Sequence, residues 1–238
     1  MDVSVIVPTL NEQKHLPACL EALRKQQTKL EYEIIVSDSQ STDRTERIAR
    51  RLADRFVTTP QRGIWIGRNT GAKVAKGNVL VFIDADTLVP SNYLQAIHAV
   101  VQDKTISGAC CAFRFDKKIG PTLKAIEELS NAYLFAQGLR GKGEILGFNN
   151  AMRKETFRRT GGFPNKPMED RAMARKLWKL GRVVYLPEPK VTTSARRLTK
   201  GGLLQTIAYY GNLSLITDLP SIPLDKLSFY RKYLPVRE

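Results

Sequence analysis

Asp84 and Asp86 stand one residue apart where an apolar run, Val79 to Ile83, ends in the sequence IDADT. Two carboxylates at that spacing can both approach a hard divalent cation when a strand ends in a turn, leaving other positions for phosphate oxygens and water. The plainer reading is a turn, since Asp ahead of Thr87 and Pro90 also serves local hydrogen bonding. Asp38 lies in a second acidic stretch, SDSQSTDRT at 37–45. It can accept hydrogen bonds from a base or ribose, while Ser41, Thr42 and Asp43 suit the start of the next helix as caps. Glu169-Asp170 opens a basic amphipathic stretch, Met168 to Leu180. A carboxylate there can take the proton of an attacking hydroxyl, and it also complements the positive end of a helix dipole.

These groups need a scaffold, and the sequence outlines one. VSVIVPTL is a short continuous apolar run, the pattern of a strand buried on both faces of a parallel sheet. Leu16, Cys19, Leu20 and Leu23 follow at helical spacing, and EIIVSD at 33–38 reads as a second strand, completing a βαβ unit. A helix from about 43 to 53, a strand near Phe56-Val57, a helix around 66–75 and the strand 79–84 continue the alternation of a mostly parallel α/β sheet. Ligands of such sheets bind at the carboxyl ends of strands. There lie Pro8 to Glu12, Ser37 to Ser39 and Asp84 to Thr87, so one cleft receives Asp38, Asp84 and Asp86. That clustering of negative charge is costly unless a cation or hydrogen-bond donors sit among them.

Downstream, helices are expected over about 91–102 and 122–137, the second bearing Leu123, Ile126, Leu129, Tyr133 and Leu134 and placed over the acceptor side. Strands are expected at 108–115 and in VVYLPE. GFNNAMRKETFRRTGGF reads as a strand edge, a two-turn helix and a Gly-Gly stop.

VSVIVPTLNE, VSDSQSTDRT, RGIWIGRNTGAKVAKGNVLVFIDADT, GFNNAMRKETFRRTGGF and MEDRAMARKLWKLG resemble, in order and spacing, the successive motifs of family 2 glycosyltransferases. The resemblance covers about residues 3–192. It implies the GT-A fold and an inverting transfer of sugar from a nucleotide-sugar donor. Pro8, Thr9 and Glu12 would line the nucleotide pocket, Asp38 would face the base, and Arg68 and Asn69 would close over the donor. Asp84 and Asp86, with Ala85 between them, would bear Mg²⁺ or Mn²⁺. Gly147, Asn149 and Asn150 match the loop near acceptor and sugar, with Glu169 beside Asp170, the match to the catalytic base. A UDP-sugar is the first expectation, with GDP and dTDP open, and a lipid or glycan as acceptor. Two departures matter. Many relatives place a metal-binding histidine where this chain has Val191-Thr192-Thr193-Ser194, and the QxxRW motif of processive members is absent. Water would then complete the metal shell, Arg196 and Arg197 can approach the diphosphate, and one sugar is transferred per acceptor.

The chain of 238 residues carries 38 Lys and Arg against 23 Asp and Glu, a net +15 that attracts polyanions of any kind. An acidic cleft without interleaved aromatic and basic residues argues against nucleic acid. The halves are expected at about 1–107 and 108–195, with an extension, 196–238. There Leu203, Leu204, Ile207, Ala208, Leu215 and Ile216 form a stripe behind Arg196, Arg197 and Lys200, suited to an anionic membrane surface, to core packing or to a dimer contact. Cys19, Cys110 and Cys111 have no metal-type spacing and are expected to pack. No signal-peptide pattern or spanning run is evident, so a cytoplasmic protein, peripheral on the membrane at most, is expected. A nucleotidyltransferase, or a non-catalytic membrane-binding module, are the rival readings.

Overall fold

Every residue of Val3–Thr9 is buried, and this run forms β1 at the centre of an eight-stranded sheet. The structure is a computed structural model describing residues 1–116, 120–166, 168–196 and 198. β1 pairs in parallel with β2 (Tyr32–Asp38) and β4 (Val79–Ile83), and β2 pairs in parallel with β3 (Arg55–Thr58). The unbroken Val and Ile runs are explained by cover on both faces. Val3, Val5 and Val7 face α1 (Leu16–Arg24), α2 (Thr45–Leu52) and α4 (Tyr93–Val101), whereas Ile6 joins the opposite cluster with α3 (Ile64–Val74). Fully burying such a side chain contributes roughly 1.5–3 kcal/mol. α3 lies so close to β1 that a Cβ on Gly71 would fall 2.4 Å from Ile6 Cγ2.

The downstream half continues the same sheet in the order β3-β2-β1-β4-β7-β6-β8-β5. β7 (Asn149–Arg153) runs antiparallel between β4 and β6 (Ile106–Phe115), so this segment, which the sequence suggests as a strand edge, is an interior strand. β8 (Arg182–Thr193) pairs in parallel with β6 and extends past VVYLPE. Its prolines fall where Cys111 matches Leu186 but Phe113 matches Val191, so Pro187 and Pro189 sit in an irregularity with no ladder bond to lose. The far end of β8 returns to the two-residue β5 (Thr87–Leu88), pairing Thr193 with Thr87.

α6 (Lys154–Thr160) ends at Gly161 in the left-handed region, and α7 (Glu169–Trp178) packs Met173, Ala174 and Leu177 against Leu80 and Phe82 on the α3 face. α5 (Pro121–Leu139) forms where a helix is expected over about 122–137. Leu134 points inward, but Leu129 and Tyr133, 70% and 58% exposed, face away from the protein. All three cysteines are free and buried. Among the described residues, no helix is long and apolar enough to cross a membrane.

Candidate active site

β4 delivers Asp84, Ala85 and Asp86 into a turn at its carboxyl end, where the Thr87 amide donates to the Asp84 carbonyl at 3.0 Å. Ala85 is buried, so the two carboxylates flank a residue held in the core. Arg68 comes from the facing side of α3 and is itself buried. Its guanidinium donates to Asp84 Oδ1 at 3.1 Å, to the Gly147 carbonyl at 2.9 Å and to Glu169 Oε1. Its Cζ lies 5.2 Å from the Phe163 ring centroid. One side chain therefore joins α3, the Asp84 turn, the loop before β7 and the first turn of α7. Gly147 is confined between them, because a Cβ there would lie 2.8 Å from Arg68 Nη2 and 3.1 Å from Asp170 Oδ2.

Asp170 occupies the first turn of α7, preceded by Met168 in the left-handed region. Its Oδ2 accepts from the Gly147 amide at 3.1 Å and its Oδ1 from the Arg171 amide at 2.8 Å. Burial, then the neighbouring Glu169 charge, push its carboxyl up to about 7 against the pull of Arg68. Asp86 is also raised to about 7, first by burial and next by Asp84. Arg196 opposes that rise. Its guanidinium lies 3.1 Å from Asp86 Oδ2 and grips Glu12 through both oxygens, at 2.7 and 3.2 Å. Arg197 lies outside the described residues.

Asp38, at the end of β2, is two strands from β4, a separation of roughly 10 Å across the sheet. Its Oδ1 accepts from Thr9 Oγ1 at 2.8 Å and from Ser41 Oγ, and its Oδ2 from the Ser41 amide at 2.8 Å. Ser41 and Thr42 bond across to the first loop rather than capping α2. The Asn11 amide donates to Ser41 Oγ and the Thr42 amide to Asn11 Oδ1, both at 2.8 Å, while the Glu12 amide donates to Thr45 Oγ1 at 2.9 Å. Asp43 accepts from both Gln13 and Thr45 amides. These bonds zip the loops after β1 and β2 together and hold Glu12 toward Arg196. Pro8 is buried beneath the start of α3, where a Cβ on Gly67 would meet it at 3.1 Å.

Three asparagines have bracing contacts. Asn69 exchanges two 2.9 Å bonds with the Phe163 backbone, fixing the ring beside Arg68. Asn149 pairs its carboxamide with the Cys111 amide at 2.8 Å and carbonyl at 2.9 Å. Asn150 donates to the Leu146 carbonyl at 2.9 Å, while its buried Oδ1 has no protein partner. Sequence reasoning missed Phe163 and the central position of Arg68. The only signal for either was the Gly-Gly-Phe stop and one arginine in a helix otherwise low in charge.

Removing Arg68 strands its carboxylates. Arg68→Met is expected to cost about 3–5 kcal/mol, because breaking a buried ion pair from one side leaves an uncompensated charge. Thermal unfolding should show a fall in Tm of roughly 10 °C; an unshifted Tm would mean that the four segments hold without the guanidinium.

The Asp84–Asp86 turn is a hard-oxygen donor set, and a carboxylate raised by burial beside another carboxylate favours an added cation. Among the described residues no group of three or more His, Cys, Asp or Glu is gathered as a metal cage. The description "Glycosyl transferase family 2" matches residues 4–161 of the chain. The chain belongs to glycosyl transferase family 2. This family member is 33% identical over 184 residues to the 4,4'-diaponeurosporenoate glycosyltransferase of Staphylococcus haemolyticus, covering 68% of the chain and 47% of that protein. It is 27% identical over 201 residues to the succinoglycan biosynthesis protein ExoA of Rhizobium meliloti, covering 77% and 60%. The chain thus spans about half of the first relative's length.

Among solved structures, the mannosyltransferase PcManGT of Pyrobaculum calidifontis, in complex with GDP-Man and Mn²⁺, superposes with a TM-score of 0.67 at 25% identity, covering 88% of this chain and 64% of that one. S. aureus TarS 1-349 in complex with UDP-GlcNAc gives 0.64 at 21% identity, covering 82% and 58%. The fold is that of the GT-A glycosyltransferases.

Proposed function

We propose that this glycosyltransferase moves one sugar from a nucleoside-diphosphate sugar, UDP-linked in the first instance, to a hydroxyl of a lipid or glycan acceptor with inversion. The observation that carries this reading is the linkage of Asp170 to Asp84 through Gly147 and Arg68. It couples a base with a raised pKa to the carboxylates that would face the leaving group. Asp170 takes the acceptor proton as the hydroxyl attacks the anomeric carbon. Asp84 and Asp86 would hold Mg²⁺ or Mn²⁺, which supplies positive charge against the departing diphosphate. Residues 1–107 form the donor half in this reading and 108–195 the acceptor half. Thr9, Asp38 and the loops they tie shape the nucleotide side; Asn149 and Asn150 support the acceptor side from within the sheet. Arg197, Lys200 and the apolar positions from Leu203 to Ile216 lie outside the described residues.

A thermal-shift series with UDP-, GDP- and dTDP-sugars, each with Mg²⁺ or Mn²⁺, followed by product analysis, tests the reading. Stabilisation by a UDP-sugar and release of free nucleoside diphosphate are expected. Release of pyrophosphate would instead identify a nucleotidyltransferase, and no stabilisation by any donor would sink the donor site.

Arg196 is the bridge between this site and the segment that follows β8. It holds Asp86 and Glu12, and the same guanidinium can be shared with a diphosphate. A charge-assisted hydrogen bond contributes about 1.5–3 kcal/mol, so Arg196→Gln should weaken nucleoside-diphosphate binding about tenfold or more. Calorimetric titration with UDP checks this, and unchanged affinity would remove Arg196 from the donor site.

A further inference from the structure

Between α1 and α2, on the face of the sheet away from α3 and α7, lies a shallow cavity of about 590 Å³ whose charged lining is entirely basic. Lys14 comes from the turn before α1, and Arg44, Arg47 and Arg51 come from α2 and the residue that starts it. Half-buried Pro17 and Ile48 supply its apolar wall. Positions 44, 47, 48 and 51 share one side of the helix over about 10 Å. All four cations are exposed, and among the described residues the guanidiniums of Arg44, Arg47 and Arg51 have no ion pair. Like charges three and four residues apart on a helix repel one another. α2 relieves such repulsion elsewhere, where Arg50 pairs with Glu46 at 2.8 Å and lies over the Phe56 ring. The other nearby acids are engaged outside the cavity. Asp43 accepts the Gln13 and Thr45 amides, and Asp54 pairs with Arg24 at 2.7 Å. Glu21 stands exposed on α1 but does not line the cavity. Residues 13–25 and 43–54 carry seven Lys and Arg against four Asp and Glu, so the positive excess is local.

We propose that this cavity binds a phosphate ester, held by Arg44, Arg47 and Arg51. Each guanidinium presents paired N–H donors that match two phosphate oxygens at once. The space admits more than a bare phosphate, and Pro17 and Ile48 can receive the carbon part of an ester. An anionic lipid headgroup and a soluble phosphate ester offer the same chemistry. Three arginines spaced along one helix side bring to either a charge that the protein's own acids leave uncompensated. The cavity adjoins the cleft through one loop, because Gln13 Oε1 accepts from the Arg44 amide at 3.1 Å and the preceding Glu12 holds Arg196. Its cations nevertheless lie on the α1 and α2 face, whereas Arg68 and Asp170 belong to α3 and α7. The site is therefore separate from the proposed transfer chemistry.

Two measurements on the full chain test the site: co-sedimentation with phosphatidylcholine vesicles, with and without phosphatidic acid, and equilibrium dialysis against inorganic phosphate. Each compares the wild type with R44Q/R47Q and with R158Q/R159Q, which removes the same charge from exposed positions on α6. R44Q/R47Q should lower binding to at least one phosphate source by about tenfold or more, and R158Q/R159Q should leave it within about twofold. A loss on the vesicles alone identifies a lipid headgroup as the ligand; a loss in dialysis identifies a soluble phosphate ester. The Tm of R44Q/R47Q should stay within about 2 °C of wild type, since both side chains are exposed. Equal losses in the two variants would reduce the cavity to its share of the general charge and overturn the proposal. So would a wild type that binds neither source, or a Tm loss of about 5 °C or more, which would assign these guanidiniums to the fold. Loss confined to binding of single-stranded RNA would make this a nucleic-acid surface, with the same consequence.

Discussion

Asp170→Asn is expected to leave donor affinity unchanged and to lower kcat by about 10³-fold, within the range that a positioned general base contributes. The substitution is nearly isosteric. Asn keeps one oxygen to accept from the amide of Gly147 or Arg171 and loses the other bond, so the loop before β7 and the start of α7 stay in place. What disappears is the proton acceptor. In the wild type, burial and Glu169 hold the Asp170 carboxyl near 7, so only above that pH is it mostly ionised. At saturating metal, which keeps Asp86 ionised, kcat/KM should therefore fall tenfold per pH unit below about 7 and level off above it. The sign for stability runs the other way. A carboxyl raised on folding is stabilising while protonated, so its contribution is present below the ordinary value of 3.8 and lost as pH rises through about 7. The Asn variant should accordingly lose less stability than wild type between those limits. Equal transfer rates in the two proteins at pH 8 would rule out Asp170 as the base.

Asp86→Ala should lower turnover by about 10³-fold or more, since a metal contributes several kcal/mol to stabilising a leaving group's charge. Folding should be spared. Asp86 is a partly buried carboxylate beside Asp84 and relies on Arg196 and any bound cation for compensation, so losing it removes repulsion as well as attraction. Arg196 keeps both bonds to Glu12. Mn²⁺ binding, read by electron paramagnetic resonance, should weaken in parallel with turnover. A variant retaining most of its metal-dependent activity would refute the metal role of this turn.

The N-terminal half was largely legible because its signals are local. Val3–Thr9, Tyr32–Asp38 and Val79–Ile83 are buried on both faces, so they read as continuous apolar runs whose polar ends mark one edge of the sheet. The C-terminal half was less so. β7 begins with two asparagines, a poor strand signature, and Asn149 supplies through its side chain a pair of bonds to Cys111 that strand periodicity does not anticipate. β5 is too short to leave a pattern. In α5 the apolar positions predicted a helix correctly but not its rotation, because Glu127 and Asn131 find backbone partners on β6. Arg68 was expected only near the donor; its partners come from turns and helix starts that no spacing rule brings together.

Arg68 also dates the site within the life of the chain. It contacts Asp84 16 residues later, Gly147 79 residues later and Glu169 101 residues later. A nascent chain that has released β1 to β4 has its strands and acidic turn, yet its arginine still awaits two of three partners. Loop-closure entropy must be met before such distant contacts return anything. In the proposed mechanism competence therefore arrives only when α7 docks, because a chain interrupted before residue 170 carries no base.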